Sequence, residues 1–149
     1  MEIELENIRI GKIGENDIPD IVDIWYEASL QAHGFIPAKY WKKNIKRMRN
    51  EYLPMSETFL AADGEMILGF VSLVDEYLAA IFVKPEIQGK NIGRLLLNHA
   101  KIHRSCLTLK VFCKNNKSIG FYEKNGFTVI SESIDEETGE KEFVMQWHK

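Results

Sequence analysis

Cysteine is scarce in this chain, with only Cys106 and Cys113 in 149 residues. Both fall on or beside one predicted strand and cannot easily bridge, so they read as the reduced thiols of a cytoplasmic protein. No apolar run approaches the roughly 20 residues of a membrane span, so no membrane partner is expected. The N-terminus carries Glu2, Glu4 and Glu6. It lacks the basic-then-apolar order of a signal peptide. Positive charge is not in excess: 19 Lys and Arg stand against 22 Asp and Glu, for a net charge of −3. That balance leaves no basic footprint for nucleic acid. A mildly acidic surface is compatible with a cationic substrate, although many soluble proteins share it. No Cys/His cluster has metal-ligand spacing. His99 and His103 form an i,i+4 pair without the glutamate that a zinc-protease motif places between them, so they read as a surface pair and no metal is expected. Repeats, linkers and low-complexity segments are missing too.

What is present suits one domain over residues 1–149, with enough apolar material for a single core. Alternation over residues 3–10 predicts a first strand. Asn16 or Asp17 can cap a helix with Pro19 in its first turn, carrying Ile18, Ile21, Val22 and Trp25 and ending at Gly34. A second helix is expected from Pro37 to near Pro54, with Tyr40, Trp41, Ile45 and Met48. Three strands follow, at Thr58–Ala62, Met66–Val74 and Tyr77–Val83. The last is almost wholly apolar, which predicts a central strand buried on both faces. A helix from Asn91 shows Ile92, Leu95, Leu96 and Ala100 on one face. Then come a strand at Leu107–Phe112, a short helix at Ser118–Lys124 stopped by Asn125-Gly126, and a terminal hairpin of Phe127–Ser133 with Glu142–Trp147. The order predicts an α/β domain on a mixed sheet.

The most informative stretch runs from Ile81 to Arg94. An apolar strand enters a short polar loop, Gln88-Gly89-Lys90-Asn91-Ile92-Gly93, and the loop opens an amphipathic helix. The first N–H groups of a helix lack internal partners and sit at the positive end of its dipole. A pyrophosphate fits there, with Gly89 and Gly93 leaving room and Lys90 and Arg94 adding charge. Such a loop alone is also compatible with an ordinary strand-to-helix turn. It lacks the Lys-Ser/Thr ending of a P-loop and the spacing of a dinucleotide fingerprint.

A second constellation is more specific: Asn115, Ser118, Phe121-Tyr122-Glu123-Lys124 and Gly126-Phe127. With it the chain resembles the GCN5-related N-acetyltransferases, the GNAT family. Gln88, Asn91 and Gly93 stand at the places of its acyl-CoA motif, Gln or Arg, two residues, Gly, any residue, Gly or Ala. The resemblance covers essentially the whole chain and is most marked toward small bacterial members of the YjaB type, with weaker support from His33-Gly34-Phe35-Ile36-Pro37. In one departure, Asn91 stands where the family has its first loop glycine. Asn tolerates the left-handed region best among non-glycine residues, so the phosphate turn is expected to survive.

The resemblance implies a mostly antiparallel mixed sheet of about seven strands with about four helices, its two central strands splayed. It implies acetyl-CoA as co-substrate and a small-molecule or peptide amine as acceptor, in a monomer or homodimer. The backbone of Ile81, Phe82 and Val83 would pair with the pantetheine arm. Gln88 to Arg94, including Ile92, would take the pyrophosphate. Asn115 would bond the pantetheine or cap the next helix, with Ser118 beside it. Tyr122 would be the general acid, or else a core aromatic like Phe121. Backbone N–H at Phe82 or Val83 could stabilise the oxyanion. Glu76 and His33 are candidates for the base, alongside ordered water. His33, Phe35, Tyr40 and Trp41 are expected to border an aromatic acceptor site, the alternative being that Tyr40 and Trp41 only pack a helix. Cys113 has no partner base in the sequence and reads as no nucleophile. A non-catalytic acyl-CoA-binding module or sensor is the alternative function.

Overall fold

The sheet is built around the chain's most deeply buried strand. In the computed structural model, which describes residues 3–149, β3 (Met66–Val74) is buried at every position but its two ends. Outward from it run β2 (Glu57–Asp63) and β1 (Ile8–Lys12) on one side. On the other run β4 (Tyr77–Val83), β5 (Cys106–Phe112), β7 (Lys141–His148) and β6 (Thr128–Ile134), in the order β1-β2-β3-β4-β5-β7-β6. Every neighbouring pair is antiparallel except β4 and β5. Those two are parallel and pair only at Tyr77↔Thr108, with a further bond from the Thr108 N–H to the Glu76 carbonyl at 2.9 Å. Beyond that end no pairing joins them, and the sheet opens into a cleft.

Helices cover both faces. α5 (Ile92–His103) packs its Ile92, Leu96, Leu97 and Ala100 stripe against Leu68, Val71, Leu107 and Leu109, and α6 (Asn116–Lys124) lies beside it. α1 (Ile18–Ala32) packs Ile21, Ile24 and Trp25 against Leu60 and Phe70 on the opposite face. A broken helical path follows, α2 (Ala38–Lys43), α3 (Ile45–Arg47), a π-helical turn at Met48–Tyr52 and α4 (Leu53–Met55). None of the helices described is long and apolar enough to cross a membrane.

Three expectations need correction. β1 begins at Ile8, not at residue 3, and Leu5–Asn7 form a single 3-10 turn. The register explains this, because Ile8 already pairs with Asp63, the last residue of β2, and earlier residues have no strand to join. Glu2 lies outside the described residues. The second helix is interrupted at Asn44, where φ is −94° and ψ 3°. Its side-chain amide donates back to the Tyr40 carbonyl at 2.7 Å, a local bond that competes with helical geometry. Finally, β4 is not buried on both faces. Tyr77 and Ala79 are exposed and Ala80 to Phe82 are half-buried, because the splay strips β4 of a neighbour along most of one edge.

Candidate active site

The apolar β4 delivers the chain to the mouth of the cleft. A 3-10 turn at Pro85–Ile87, pinned by the buried Ile87, redirects it into the loop Gln88–Asn91. Gly89 has φ +84°, and a Cβ there would meet nothing within 4 Å, so its requirement is conformational. Asn91 has φ 67° and ψ 12° and forms the N-cap of α5 in the left-handed region. The expected left-handed turn is therefore present with asparagine in the glycine's place. Its side chain makes no capping bond, so no side chain of the cap competes for the first N–H groups of α5. The Asn91 carbonyl accepts from the Leu95 N–H at 3.1 Å, which leaves Ile92, Gly93 and Arg94 as the residues with orphan N–H groups.

Other loop residues depart from the roles read in the sequence. A Cβ on Gly93 would stand 3.4 Å from Phe121, so this glycine serves the packing of α5 on α6 as well as access. Both ends of the Gln88 amide are occupied: Nε2 donates to the Val83 carbonyl at 3.2 Å and Oε1 accepts from Lys117 Nζ at 3.2 Å. Gln88 thus ties the loop to β4 and to α6. Lys90 is exposed and lies off the cavity lining, while Arg94 lines it.

The cleft widens into a cavity of about 1280 Å³ that spans the sheet. One end reaches the α5 N-terminus, Asn115 and Ser118; the other reaches His33, Tyr40 and Trp41 under α1 and α2; Ile81, Phe82 and Val83 form the β4 wall between them. Tyr122 lines the middle. It is 9% exposed, and burial, followed by the nearby Tyr77, holds its phenol above the ordinary tyrosine value. The hydroxyl is therefore protonated at neutral pH. α6 holds this position from both ends. Asn115 Oδ1 accepts from the Ser118 N–H at 3.3 Å, the capping bond weighed in the sequence. At the other end the Gly126 N–H donates to the Glu123 carbonyl at 3.2 Å and the Phe127 N–H to the Tyr122 carbonyl at 3.0 Å, the double bond of a Schellman stop.

On the far side an aromatic wall forms. His33 stacks on Trp41 with centroids 5.0 Å apart and meets Phe112 edge-on at 5.2 Å. Its Nε2 lies 3.3 Å from Asn115 Nδ2. Since the Asn115 oxygen is engaged by α6, the amide nitrogen donates and His33 Nε2 accepts. Burial pushes the imidazole down to about 4, opposed in part by the Ser29 backbone, so the ring is neutral at neutral pH. A buried imidazole that holds protons so weakly is a poor general base, and His33 is better described as wall. Phe35 packs on Phe112 at 5.6 Å but lines a smaller adjoining cavity with Ile36, Pro37 and Lys39. Glu76 is a correction as a site residue. It is an exposed turn residue at the bonded end of the β4–β5 pair, off the cavity lining, because the strands open at the other end. Burial and Glu132 push the Cys113 thiol up, which opposes a thiolate.

Two groups of residues escaped the sequence reading. Glu137, in the acidic β6–β7 loop, accepts from Tyr40 at 2.8 Å and pairs with Arg47 at 3.2 Å, clamping that loop to the α2–α3 path. Glu142 and Tyr77 face the cavity from β7 and β4. Neither carries a local motif.

The family of the Acetyltransferase (GNAT) domain matches residues 54–129, from α4 into β6. Peptidyl-lysine N-acetyltransferase YiaC of Escherichia coli (strain K12) is 32% identical over 139 residues, spanning 93% of this chain and 95% of that protein. The chain belongs to the GNAT family. As a GNAT acetyltransferase it also has solved structural neighbours. The solution structure of apo YjaB from Escherichia coli superposes with a TM-score of 0.83 at 26% identity, covering 94% of this chain and 97% of that one. The PaiA N-acetyltransferase of Thermoplasma acidophilum, solved in complex with coenzyme A, has a TM-score of 0.81 at 22% identity over 95% and 99%. The likeness to YjaB-type members, and the seven-stranded mixed sheet read from the sequence, are thus both found. Among the described residues no group of His, Cys, Asp and Glu could hold a metal.

Proposed function

We propose that residues 1–149 act as one catalytic domain that moves an acetyl group from acetyl-CoA to a primary amine by direct attack, with Tyr122 as general acid. The observation that carries this reading is the continuity of the cavity. A left-handed Asn91 opens an uncapped helix N-terminus at one end, a protonated Tyr122 lines the middle, and an aromatic chamber lies beyond. The orphan N–H groups of α5, with Arg94 and Lys117 nearby, suit a pyrophosphate. The unpaired edge of β4 suits an extended amide-bearing arm that adds as a strand. The residues present therefore fit coenzyme A at this site. The acceptor class favoured is a peptidyl lysine, after the printed name of YiaC.

In this reading the neutral amine attacks the thioester carbonyl and a tetrahedral oxyanion forms. The C–S bond then breaks and the departing thiolate takes the Tyr122 proton. Burial makes the phenol a weaker acid than an ordinary tyrosine, so its proton passes only as negative charge develops on the sulfur beside it. The test is thiol release from acetyl-CoA with a panel of lysine peptides, peptide N-termini and small amines. Amine-dependent release, with mass spectrometry placing the acetyl group on nitrogen, is expected. Coenzyme A binding without any amine-dependent release would make the chain an acyl-CoA-binding sensor instead.

A further inference from the structure

We propose that Glu142 is the base of this reaction, its carboxylate receiving the acceptor's ammonium group in the cavity and taking the proton that must leave before nitrogen can attack. This rests on the amine-transfer reading above.

Directly opposed residues of an antiparallel pair project from the same face. The β5–β7 register sets Phe112 against Glu142 and Lys110 against Val144, so Glu142, Phe112 and Lys110 share one face. Phe112 fixes which face it is, since it touches His33 at 5.2 Å on the acceptor side. Glu142 thus stands at the floor of the chamber opposite α1 and α2, beyond Tyr122 from the phosphate end. It is the single carboxylate lining the cavity among the described residues, whereas five cations line it, from Arg94 to Lys124. A cationic acceptor entering this chamber therefore finds one group of opposite charge. That group is also free to act. Neighbouring Glu140 is paired with Lys114 at 3.1 Å and Glu132 with Lys141 at 4.0 Å, but Glu142 has no ion pair among the described residues.

The charged and titratable groups around it come from each packed element. Tyr77 faces it from β4, Lys110 and Cys113 from β5 and its end, and Asp135 from the end of β6, while neutral His33, just after α1, lines the same cavity. Burial, then Asp135, raises the Glu142 carboxyl above its ordinary value, and Lys110 opposes them. A carboxylate so raised is a stronger base than a solvated one. The protons balance. Glu142 takes one from the ammonium, and the amine's lone pair forms the C–N bond as the carbonyl opens. The C–S bond breaks and the thiolate takes the Tyr122 proton. The tyrosinate takes the second proton from the newly bonded nitrogen, and Glu142 releases its own to solvent.

The experiment compares wild type, Glu142→Gln and Lys110→Met with acetyl-CoA and an Nα-blocked peptide holding one lysine, across pH. For Glu142→Gln, kcat/KM toward the peptide is expected to fall by roughly 10²-fold near pH 7. The acid limb of wild type should be replaced by one that rises only as pH nears the lysine's own pKa of about 10. Acetyl-CoA affinity by calorimetry should hold, which also shows that the variant is folded. In Lys110→Met the acid limb should move to higher pH, since Lys110 lowers the Glu142 carboxyl; this variant decides the matter if Glu142→Gln does not fold. A wild-type acid limb in Glu142→Gln, or an unmoved limb in Lys110→Met, overturns the assignment and leaves the amine-transfer reading standing. A wild-type protein that binds acetyl-CoA and modifies no amine overturns both.

Discussion

At the scale of single residues, Asn91 shows how a departure from a motif can preserve the motif's geometry. Its φ of 67° lies in the region where a side chain costs energy, and asparagine bears that cost best. Asn91→Gly should therefore leave coenzyme A affinity equal or tighter by calorimetry. A tenfold loss, about 1.4 kcal/mol, would mean that the amide makes a contact of its own. In the proposed reaction Tyr122 bears on chemistry and not on the turn. Tyr122→Phe keeps the ring packed against Phe127 and removes one hydroxyl. The kcat should fall by roughly 10²–10⁴-fold if the hydroxyl protonates the thiolate. The KM for acetyl-CoA should stay near that of wild type, because the bond strengthens only in the transition state. A full-rate variant would reduce Tyr122 to a core aromatic. Both positions were legible in the sequence because spacing within a few residues fixes them. Glu142 was not, since a glutamate between Lys141 and Phe143 in an alternating strand looks like any solvated residue until β5 is laid beside it.

Elements were legible in kind and less so at their ends. The strands from β2 to β7 and helices α1, α5 and α6 all follow from apolar periodicity with Gly, Asn and Pro punctuation. The second helix failed because its interruption comes from a side-chain bond, Asn44 to the Tyr40 carbonyl, that propensity does not register. β4 misled because an apolar run says what a strand can bury and not whether a neighbour arrives. One contact between strands offers a sharp test. A Cβ on Gly69 of β3 would stand 2.5 Å from the Phe82 carbonyl oxygen and 3.3 Å from a Leu96 methyl. Backbone cannot swing aside as a side chain does. Gly69→Ala should destabilise by about 1–3 kcal/mol in denaturant melts, the range of overpacking, while Gly11→Ala, at a half-buried position with nothing within 4 Å, should not. Asn115→Ala removes the α6 cap and should cost about 1 kcal/mol. It should also lower kcat more than a distant cap would, because α6 carries Tyr122.

For the whole molecule, the buried His33 makes a contribution to stability that depends on pH, and burial lowers His99 in the same direction. The folded value of His33, about 4, lies below the ordinary 6.5. The unfolded chain therefore binds a proton first as pH falls. The His33 contribution is fully present above about 6.5, declines between there and 4, and is constant below. At pH 5 the loss is about 2 kcal/mol by linkage. Chemical melts at pH 7.5 and pH 5 should show that decline in wild type and a clearly smaller one in His33→Gln, where burial still lowers His99; equal declines would mean that the ring is wetter than its burial indicates. The chamber in which His33 sits was legible only in part. The aromatic residues after α1 stood out, but the clamp of Glu137 on Tyr40 and Arg47 joins residues 97 and 90 positions apart, and no local pattern announces it.

The place of β7 has a further consequence, one that concerns synthesis. β1 to β4 form a run in which consecutive strands pair, so that half can assemble as it leaves the ribosome. The other half cannot. β5 waits for β7, the last strand in chain order, and β6 must stand aside until β7 inserts between them. Until then the face bearing Leu107, Leu109 and Val111 lacks the strand that completes it, and the edge of β5 is open to stray pairing. The nascent chain is most prone to aggregate during the interval that separates translation of β5 from release of β7. Slowing elongation across residues 113–140 would lengthen that interval and lower the soluble yield, with no change in the finished protein.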